Sequence, residues 1–480
     1  MMRDPNRRRA LRVFSSSVCL ALALALTMEA LPAMETEALR LHPDNPHYLL
    51  FRGKPTVLIG SGEHYGAVLN LDFDYVAYLD AVQAAGLNLT RTFSGAYAES
   101  PASFGIAKNT LAPAAGRFLC PWARSETPGY AGGGNKFDLT KWDEAYFKRL
   151  KDFVAQAGQR GIVVEFVLFC PYYEDQMWNL APFNAKNNVN GVGELKRTES
   201  LTLKNGPLLA VQDAFVRKAA EELKGFDNLY YEICNEPYFG GVTLEWQHHI
   251  ADTLVAAEKD FPVRHLIAQN IANGKAKIEK PHAAVSIFNF HYATPPETVG
   301  MNYALSKVLA DDETGFKGTG DAVYRMEGWQ FILAGGGIYD HLDYSFTAGH
   351  EKGDFALPPK QPGGGGAALR TQFRILKDFI HGFEFVRMKP DAAAVSGLPK
   401  GVTAHALSEP GKAYAVYLHG GTQAELNVEL PAGTYRVEWL DTKTGKVEKS
   451  ETFEHAGGRK ALASPAYKED IALRIMAAAK

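Results

Sequence analysis

The stretch NLYYEICNEP, residues 228–237, decides the fold. A β-prone apolar run ends here in Asn235, Glu236 and Pro237, and Pro237 has no N–H to contribute to a strand ladder. The sequence therefore predicts a buried strand that ends where the Glu236 carboxylate is displayed. Because the carboxyl ends of the strands carry the chemistry in a (β/α)8 barrel, this pattern indicates both an architecture and a candidate active site.

Working outward from this stretch, apolar β-branched runs alternate with amphipathic runs of helical period. Near-continuous apolar strands are typical of buried parallel sheets, and strand–helix alternation implies helical crossovers. Eight such units predict an α/β fold, a closed (β/α)8 or TIM barrel, although the helical pattern after residue 274 is weak. The candidate strands are 56–61, 87–93, 162–170, 228–235, 265–270, 285–291, 307–313 and 337–344.

The 480 residues exceed one average domain, and the pattern changes near residue 400. Short alternating strands such as 413–420 and 433–440 follow, separated by glycine-containing turns. We therefore predict a signal peptide over 1–33, a barrel over 42–388, and a small C-terminal antiparallel β-sandwich over 398–480. We expect the sandwich to pack on the barrel, because Tyr435 and Trp439 do not form part of an exposed aromatic row.

The N-terminus has the pattern of an export signal. Four arginines within residues 7–12 precede an apolar run over 13–27, and LPAM (31–34) offers a cleavage site after Ala33. A membrane anchor is the alternative, but the run falls short of the ~20 residues that span a bilayer. NRRRALR also approaches a twin-arginine signal. We predict a secreted or periplasmic protein with no stable membrane insertion after cleavage.

Charge and cysteine content argue against a nucleic-acid-binding protein and against a disulfide-stabilised scaffold. Residues 34–480 hold 46 basic and 52 acidic residues, so there is no electrostatic footprint for nucleic acid. Three cysteines remain after cleavage, Cys120, Cys170 and Cys234, and an odd number argues against a disulfide scaffold. Buried free thiols are the favoured state, with a Cys170–Cys234 bridge as the alternative.

A second acid, Glu313 in KVLADDETG (307–315), ends the seventh candidate strand, as Glu236 ends the fourth. With Asn-Glu-Pro, this order resembles the clan-A glycoside hydrolases, nearest the cellulase-like families, over roughly residues 42–385. The resemblance implies that Glu236 is the general acid/base and Glu313 the nucleophile, about 5–5.5 Å apart. Strand alternation makes Asp311 the main competitor of Glu313. We expect burial and the Glu313 charge to raise the pKa of Glu236.

The same resemblance implies supporting residues, each with a purely structural role as its alternative. Arg91 would hydrogen-bond the nucleophile, and Asn235 would bind the sugar 2-hydroxyl. His291 and Tyr292 are adjacent in FNFHY, where the family usually shows His-x-Tyr. Further candidate substrate contacts are Glu63 and His64 after the first strand, Trp178 in the long insertion 171–207, and Tyr339 in place of the usual eighth-strand Trp.

Other chemistries are less well supported. There is no Gly-rich phosphate loop followed by Lys-Ser/Thr, and no Gly-x-Ser-x-Gly elbow. His248 and His249 are adjacent on a predicted helix, so they point about 100° apart and form no metal pair. We therefore expect no metal or cofactor. The prediction is a secreted retaining glycosidase that cleaves β-linked poly- or oligosaccharides; the alternatives are a non-catalytic carbohydrate-binding barrel or a transglycosylase.

Overall fold

The structure, a computed structural model, describes residues 38–101, 103–262 and 264–478; the predicted signal peptide and cleavage site lie outside the described residues. A closed barrel of parallel strands forms its main body. Each strand pairs with its neighbour in chain order, β8 pairs with β1, and a bridge between Gly60 and Leu89 joins β1 to β2. The strands are β1 Leu58–Ile59, β2 Leu89–Phe93, β3 Val163–Phe169, β4 Leu229–Cys234, β5 Leu266–Asn273, β6 Val285–His291, β7 Val308–Glu313 and β8 Ile338–Tyr339.

Helices cover the outside of the barrel. They are α1 Tyr75–Ala84, α2 Glu144–Gln159, α3 Asp175–Leu180, α4 Leu208–Leu223, α5 Leu244–Ala257, α6 Glu297–Asn302, α7 Asp321–Leu333 and α8 Ala367–His381. Between β5 and β6 the described residues contain no α-helix, in keeping with the weak pattern there. The predicted TIM barrel is thus confirmed. No helix among the described residues is long and apolar enough to cross a membrane.

Local sequence explains where the principal helices begin. The Asp74 carboxylate accepts hydrogen bonds from the first free N–H groups of α1, and Asp143 does the same for α2. In α2 the apolar side chains recur at helical spacing and are buried, while the outward face is charged. These amphipathic helices bury one face against strands that are themselves buried along their whole length.

The barrel interior has two chemically different layers. At the amino end, apolar side chains from all eight strands form one buried cluster. Its members on the strands are Leu58, Leu89, Val163, Tyr230, Ala268, Ile287, Val308, Ala310 and Ile338. Above this layer, Arg91, Glu165, Glu232 and Asp312 are fully buried and face one another. The apolar layer closes the barrel from below, so polar chemistry is confined to the carboxyl end.

Shorter sheets flank the barrel. Strands Arg40–Leu41, Leu49–Phe51 and Lys54–Thr56 form a small antiparallel sheet before β1. A hairpin of strands Trp122–Pro128 and Asn135–Trp142 lies within the long insertion between β2 and α2. The insertion between β3 and α4 contains α3.

The C-terminal residues form the predicted antiparallel sandwich. One sheet orders its strands as Lys389–Pro390, Thr403–Glu409, Ala413–His419, Asp470–Ala477, Gly433–Leu440 and Val447–His455. The other orders them as Val395–Ser396, Glu425–Leu430 and Gly458–Ala463. Tyr435 and Trp439 are buried in the core between the sheets, so neither is presented on the surface.

The sandwich packs on the barrel through α7. The Arg325 guanidinium lies 2.7 Å from the Asp470 carboxylate, and both side chains are buried. Close by, the rings of Trp329 and Tyr417 are stacked with their centroids 5.5 Å apart. The contact therefore combines a buried ion pair with aromatic packing.

The described cysteines Cys120, Cys170 and Cys234 are buried free thiols. Cys170 and Cys234 are therefore not bridged, which is the state that the cysteine count favoured. Burial raises the pKa of the Cys120 thiol to about 12.

Candidate active site

Glu236 reaches the mouth of the barrel because the chain leaves β4 in an unusual backbone conformation. The Asn235 N–H still donates to the Phe169 carbonyl of β3 at 2.9 Å, but Glu236 has φ of 36°. This left-handed conformation is rare for a residue with a side chain and ends the regular alternation of β4. As a result, the consecutive side chains of Asn235 and Glu236 both line the same pocket.

Glu313 enters the same pocket through an irregularity in β7. Phe290 pairs with Asp311 and His291 pairs with Glu313, so Asp312 is an extra residue between two registered pairs. Such a bulge shifts the side-chain alternation. Glu313 lines the pocket, whereas Asp311 is completely buried outside it. The expectation that Asp311 and Glu313 share a side is therefore wrong, because simple alternation does not hold across Asp312.

The two carboxylates face each other. An oxygen of Glu236 and an oxygen of Glu313 lie within 4.8 Å of one another. The Glu313 side chain accepts three hydrogen bonds: from Tyr292 Oη to Oε1 at 2.8 Å, and from Tyr65 Oη and Arg91 Nη1 to Oε2 at 3.0 and 3.1 Å. These donors fix the carboxylate and stabilise negative charge on it.

Glu236 has a different set of neighbours. The Tyr173 hydroxyl donates to its Oε2 at 2.6 Å, and His291 Nδ1 lies 3.2 Å from its Oε1. Burial raises the pKa of Glu236, but the hydrogen bond and charge of His291, together with Tyr173, outweigh burial and lower this pKa to about 2. The expected raised pKa is therefore wrong for the site without substrate, because sequence reasoning did not place His291 against this carboxylate.

Below the pair, Arg91 anchors the site to the polar layer of the barrel. Its Nη2 donates to Glu232 Oε2 at 2.6 Å and to Asn235 Oδ1 at 2.7 Å. Its Nε lies 3.5 Å from Asp312 and 3.9 Å from Glu165. One guanidinium thus orients Asn235 and also contacts Glu313, so both strand-end residues depend on its position.

The carboxylates of this polar layer do not all carry charge. Burial raises the pKa of Glu232 to about 7, and burial together with Glu165 raises that of Asp312 well above its ordinary value. Asn289 Nδ2 donates to Glu165 and to Asp312, 2.7 Å from each. Burial thus favours the neutral form of these carboxyl groups, and the Arg91 cation opposes this effect.

Two sets of side chains in the described residues have the spacing of a cation site. One is Glu236, His291 and Glu313, and the other is Glu165, Glu232 and Asp312. In the second set Arg91 already supplies the positive charge, since its guanidinium contacts all three carboxylates. In the first set, His291 Nδ1 lies between the two carboxylates, 3.2 Å from Glu236 and 3.7 Å from Glu313.

The structure brings most of the residues predicted for the site together. The group comprises Glu236, Glu313, Asn235, His64 and Tyr292, which line the pocket, and Arg91 and His291, which lie directly beneath it. His291 and Tyr292, although adjacent, both contact the carboxylates because Tyr292 has φ of 54°. The pocket has a volume of about 410 Å³.

Glu63 does not contact the pocket, so its prediction as a substrate contact is wrong. Its side chain is 1% exposed, and its two carboxylate oxygens accept hydrogen bonds from the backbone N–H groups of Gly66 and Ala67 at 2.9 and 2.8 Å. Glu63 therefore stabilises the turn after β1. Burial raises its pKa above the ordinary value.

Trp178 and Tyr339 also lie away from the pocket, so their prediction as substrate contacts is wrong. Trp178 belongs to α3 and packs on Tyr172 with ring centroids 4.8 Å apart. Tyr339 is completely buried, and its hydroxyl donates to the Tyr324 carbonyl at 2.9 Å. Its ring faces the helices outside the barrel, where it packs on Phe373.

Several side chains of the pocket lie outside the set of predicted site residues. Tyr65 and Tyr173 hydrogen-bond the two carboxylates, and Glu99, Phe104 and Phe316 form walls. Tyr65 was detectable, since it follows the first strand beside His64. The others lie on long loops, where sequence periodicity carries no information on side-chain direction.

No family model and no curated protein matches the sequence. Among solved structures, the chain is similar to a candidate glycoside hydrolase from Bacteroides vulgatus ATCC 8482, with 14% identity, a TM-score of 0.67, and coverage of 93% of this chain and 83% of that chain. It is also similar to a glycoside hydrolase with 16% identity, a TM-score of 0.64, and coverage of 93% and 98%.

A glycoside hydrolase family 5 structure from Bacteroides vulgatus ATCC 8482 is similar as well, with 15% identity, a TM-score of 0.62, and coverage of 92% of this chain and 94% of that chain. The resemblance noted from the sequence is thereby confirmed at the level of the fold, over nearly the whole described chain.

Proposed function

We propose that this protein is a retaining glycoside hydrolase that cleaves β-glycosidic bonds in a poly- or oligosaccharide. The observation that carries the proposal is the pair Glu236 and Glu313, whose oxygens come within 4.8 Å across the pocket. Retaining enzymes hold their two carboxyl groups about 5–5.5 Å apart, whereas inverting enzymes leave about 6.5–9.5 Å for a water molecule. The structures similar in fold are, by their descriptions, glycoside hydrolases.

In this mechanism Glu313 is the nucleophile. Its carboxylate attacks the anomeric carbon while the bond from that carbon to the leaving oxygen breaks and Glu236 transfers a proton to that oxygen. A glycosyl ester on Glu313 results. Water then attacks the same carbon, gives a proton to Glu236, and releases the sugar with its original anomeric configuration.

The environments of the two acids fit these unequal roles. Three donors hold Glu313 as a fixed anion, which suits a nucleophile. In the site without substrate, the contacts of His291 and Tyr173 lower the pKa of Glu236. In this proposal Glu236 delivers the proton, and His291, 3.2 Å from its Oε1, positions the carboxyl group.

Azide rescue of the two alanine variants tests the proposal. The wild-type protein and the variants Glu236→Ala and Glu313→Ala would be assayed on a panel of β-linked aryl glycosides and polysaccharides. We expect Glu313→Ala with azide to yield the α-glycosyl azide and Glu236→Ala with azide to yield the β-azide. Hydrolysis that survives both substitutions would refute the mechanism.

Two alternative functions use the same pocket. A non-catalytic carbohydrate-binding protein would bind sugars without hydrolysing any of the panel. A transglycosylase would form the same ester on Glu313 but pass the sugar to an acceptor hydroxyl, which product analysis with an added acceptor sugar would reveal. The paired acids favour a catalyst over a binding protein.

We also propose that the protein is exported and cleaved after Ala33. The basic residues before the apolar run 13–27 support this proposal. Sequencing the N-terminus of the protein secreted by its host would test it, with Met34 as the expected first residue.

A further inference from the structure

His64, after β1, and Glu99, in the insertion after β2, line the pocket at the end that adjoins β1 and β2. His64 Nε2 lies 3.4 Å from Glu99 Oε2. The Glu99 carboxylate is fixed, because its Oε1 accepts a hydrogen bond from Tyr97 Oη at 3.0 Å and its Oε2 accepts one from Asn109 Nδ2 at 2.5 Å. This end of the pocket therefore presents an immobilised carboxylate beside an imidazole.

His64 is buried, and its Nδ1 has no hydrogen-bond partner among the described residues, while its Nε2 pairs with the Glu99 carboxylate. An unsatisfied buried polar group costs about 1–3 kcal/mol, so such groups in native proteins generally have a partner that the protein alone does not supply. Burial lowers the pKa of His64, but the Glu99 and Glu313 carboxylates outweigh burial and raise it. His64 thus lines the pocket with one nitrogen beside Glu99 and the other without a protein partner among the described residues.

The position of this pair relative to the two acids defines which part of a substrate it meets. The charges that act on His64 come from Glu99, Glu313 and Glu63, on the β1, β2 and β7 side of the barrel. Glu236 instead contacts groups that follow β3 to β6. A sugar whose anomeric carbon lies at Glu313 and whose leaving oxygen points to Glu236 therefore directs its remaining hydroxyls towards Glu99 and His64.

The insertion after β2 covers this end of the pocket. Phe104 packs edge-on against Tyr173 on the loop after β3, with ring centroids 5.4 Å apart, and lies 6.3 Å from Phe316 on the loop after β7. The insertion thus reaches two opposite loops of the mouth. The pocket volume of about 410 Å³ is near the lower limit of small-molecule pockets, about 300–1,000 Å³, and so suits a short sugar better than a long polymer.

We propose that Glu99 and His64 bind neighbouring hydroxyl groups of an uncharged sugar at the non-reducing end of the substrate, so that the enzyme removes one terminal sugar at a time. Glu99 accepts a hydrogen bond from one hydroxyl, and His64 donates to the next. This inference rests on the proposed function and adds to it the substrate class, chain ends rather than internal linkages.

The variants His64→Phe and Glu99→Gln test the inference, with the exposed Glu174→Gln as a matched control on the loop after β3. The probes are the 4-nitrophenyl β-glycosides of glucose, galactose, mannose and xylose, and β-1,4-linked hexaoses of glucose, mannose and xylose labelled at the reducing end. Isofagomine, a hydroxylated amine the size of one sugar, would be titrated by calorimetry as a measure of binding without turnover.

We expect labelled products that shorten by one sugar at a time. His64→Phe and Glu99→Gln should each lower kcat/KM on the best aryl glycoside about 10- to 100-fold, the effect of losing a hydrogen bond to a charged group. Glu174→Gln should change nothing. Since Glu99 keeps its hydrogen bonds from Tyr97 and Asn109 when His64 is replaced, His64→Phe should leave the melting temperature nearly unchanged, which a merely structural histidine would not allow.

The outcomes separate this inference from the proposed function. Internal cleavage of the hexaoses, or unchanged kcat/KM in both variants, would overturn the inference and leave the hydrolase proposal standing. Isofagomine binding that both variants weaken, without hydrolysis of any glycoside, would support the recognition pair and refute the hydrolase. Neither hydrolysis nor binding would overturn both.

Discussion

At the residue scale, the two acids of the pocket differ in what holds them. Glu313 is fixed by one guanidinium and two phenols, whereas Glu236 is contacted by one imidazole and by the phenols of Tyr173 and Tyr238. Because one site contains both arrangements, single substitutions among the neighbours should change different properties of the reaction. Under the proposed mechanism, we expect the donors at Glu236 to affect proton transfer and Arg91 to affect the stability of the site.

Tyr173→Phe should shift the pH dependence of activity. The Tyr173 hydroxyl lowers the pKa of Glu236, while burial raises it, so removing the hydroxyl leaves burial less opposed and the pKa rises. A proton donor with a higher pKa remains protonated to higher pH. The basic limb of the kcat/KM profile should therefore move to higher pH, measured on an aryl glycoside that the wild type cleaves.

Tyr75→Phe is the control for this prediction. Tyr75 also donates to a carboxylate, that of Asp152 at 2.5 Å, but it lies on α1 away from the pocket. Its profile should superimpose on that of the wild type. A basic limb that moves to lower pH in Tyr173→Phe would contradict the assignment of Glu236 as the proton donor.

Arg91→Met should destabilise the protein. Arg91 is 1% exposed and contacts Glu232, Asp312 and Glu313, so its removal leaves buried carboxylates without a cation. Breaking a buried ion pair costs about 3–5 kcal/mol. Denaturant unfolding at pH 8 should show this loss, and at pH 5 the loss should be smaller, because Glu232, with a pKa of about 7, is then protonated and needs no cation.

Arg117→Met provides the comparison for Arg91. Arg117 also forms a close ion pair, 2.6 Å from Asp72, but both side chains are more than 40% exposed. Exposed pairs contribute about 0–1 kcal/mol. An equal loss of stability in both variants would show that the Arg91 network is not held together by its charge.

At the element scale, the loop after β1 is locked against the insertion after β2. A Cβ atom on Gly66 would lie 2.2 Å from the Thr110 carbonyl oxygen, which belongs to backbone and cannot move aside easily. Gly66 follows Tyr65, whose hydroxyl donates to Glu313. The two loops therefore position a donor of the site through a contact that excludes any side chain.

Gly66→Ala should consequently lower activity by displacing Tyr65. We expect kcat to fall about tenfold or more, as for the loss of one hydrogen bond to a charged group. Gly300→Ala in α6 is the control, since its Cβ would meet no atom within 4 Å and alanine favours a helix. Steady-state kinetics with equal melting temperatures as a criterion would separate a local displacement from unfolding.

The elements also show what the sequence allows one to predict. The order and number of barrel strands follow from apolar period and length, and the predicted strand over 285–291 agrees with the structure to the residue. The bulge at Asp312 does not follow, since pairing with β6 creates it, and no local pattern encodes a partner strand. Glu99 and Phe104 were not predicted for a related reason. Tertiary contacts determine the backbone path of a long insertion, and the hydrophobic periodicity of its sequence does not.

At the scale of the whole molecule, the sandwich contributes to the stability of the barrel. Arg325 and Trp329 on α7 face Asp470 and Tyr417, and α7 follows directly from the loop after Glu313. Separating the two parts would expose a buried guanidinium and an indole ring. The sandwich therefore packs on the barrel helix that follows Glu313 in the chain.

Deletion of residues 395–480 should lower the melting temperature of the barrel and reduce its solubility, because α7 then exposes Trp329 and leaves Arg325 unpaired. Differential scanning calorimetry of the truncated and full chains would measure the effect. A matched control is Arg459→Met on an exposed strand of the sandwich, which should leave the transition unchanged. Loss of polymer adsorption with unaltered barrel folding would contradict a supporting role.

The closure of the barrel has a further consequence. Strands β1 and β8 have two residues each, and a single bridge joins β1 to β2. This part of the wall has the fewest ladder hydrogen bonds, so it is a seam where transient opening and amide hydrogen exchange should be fastest among the strands. His64 follows β1 while Glu99 follows β2. A sugar bound to both residues would link the chain after β1 to the chain after β2. Binding in the pocket should therefore be detectable as slower amide hydrogen exchange in the strands of this seam.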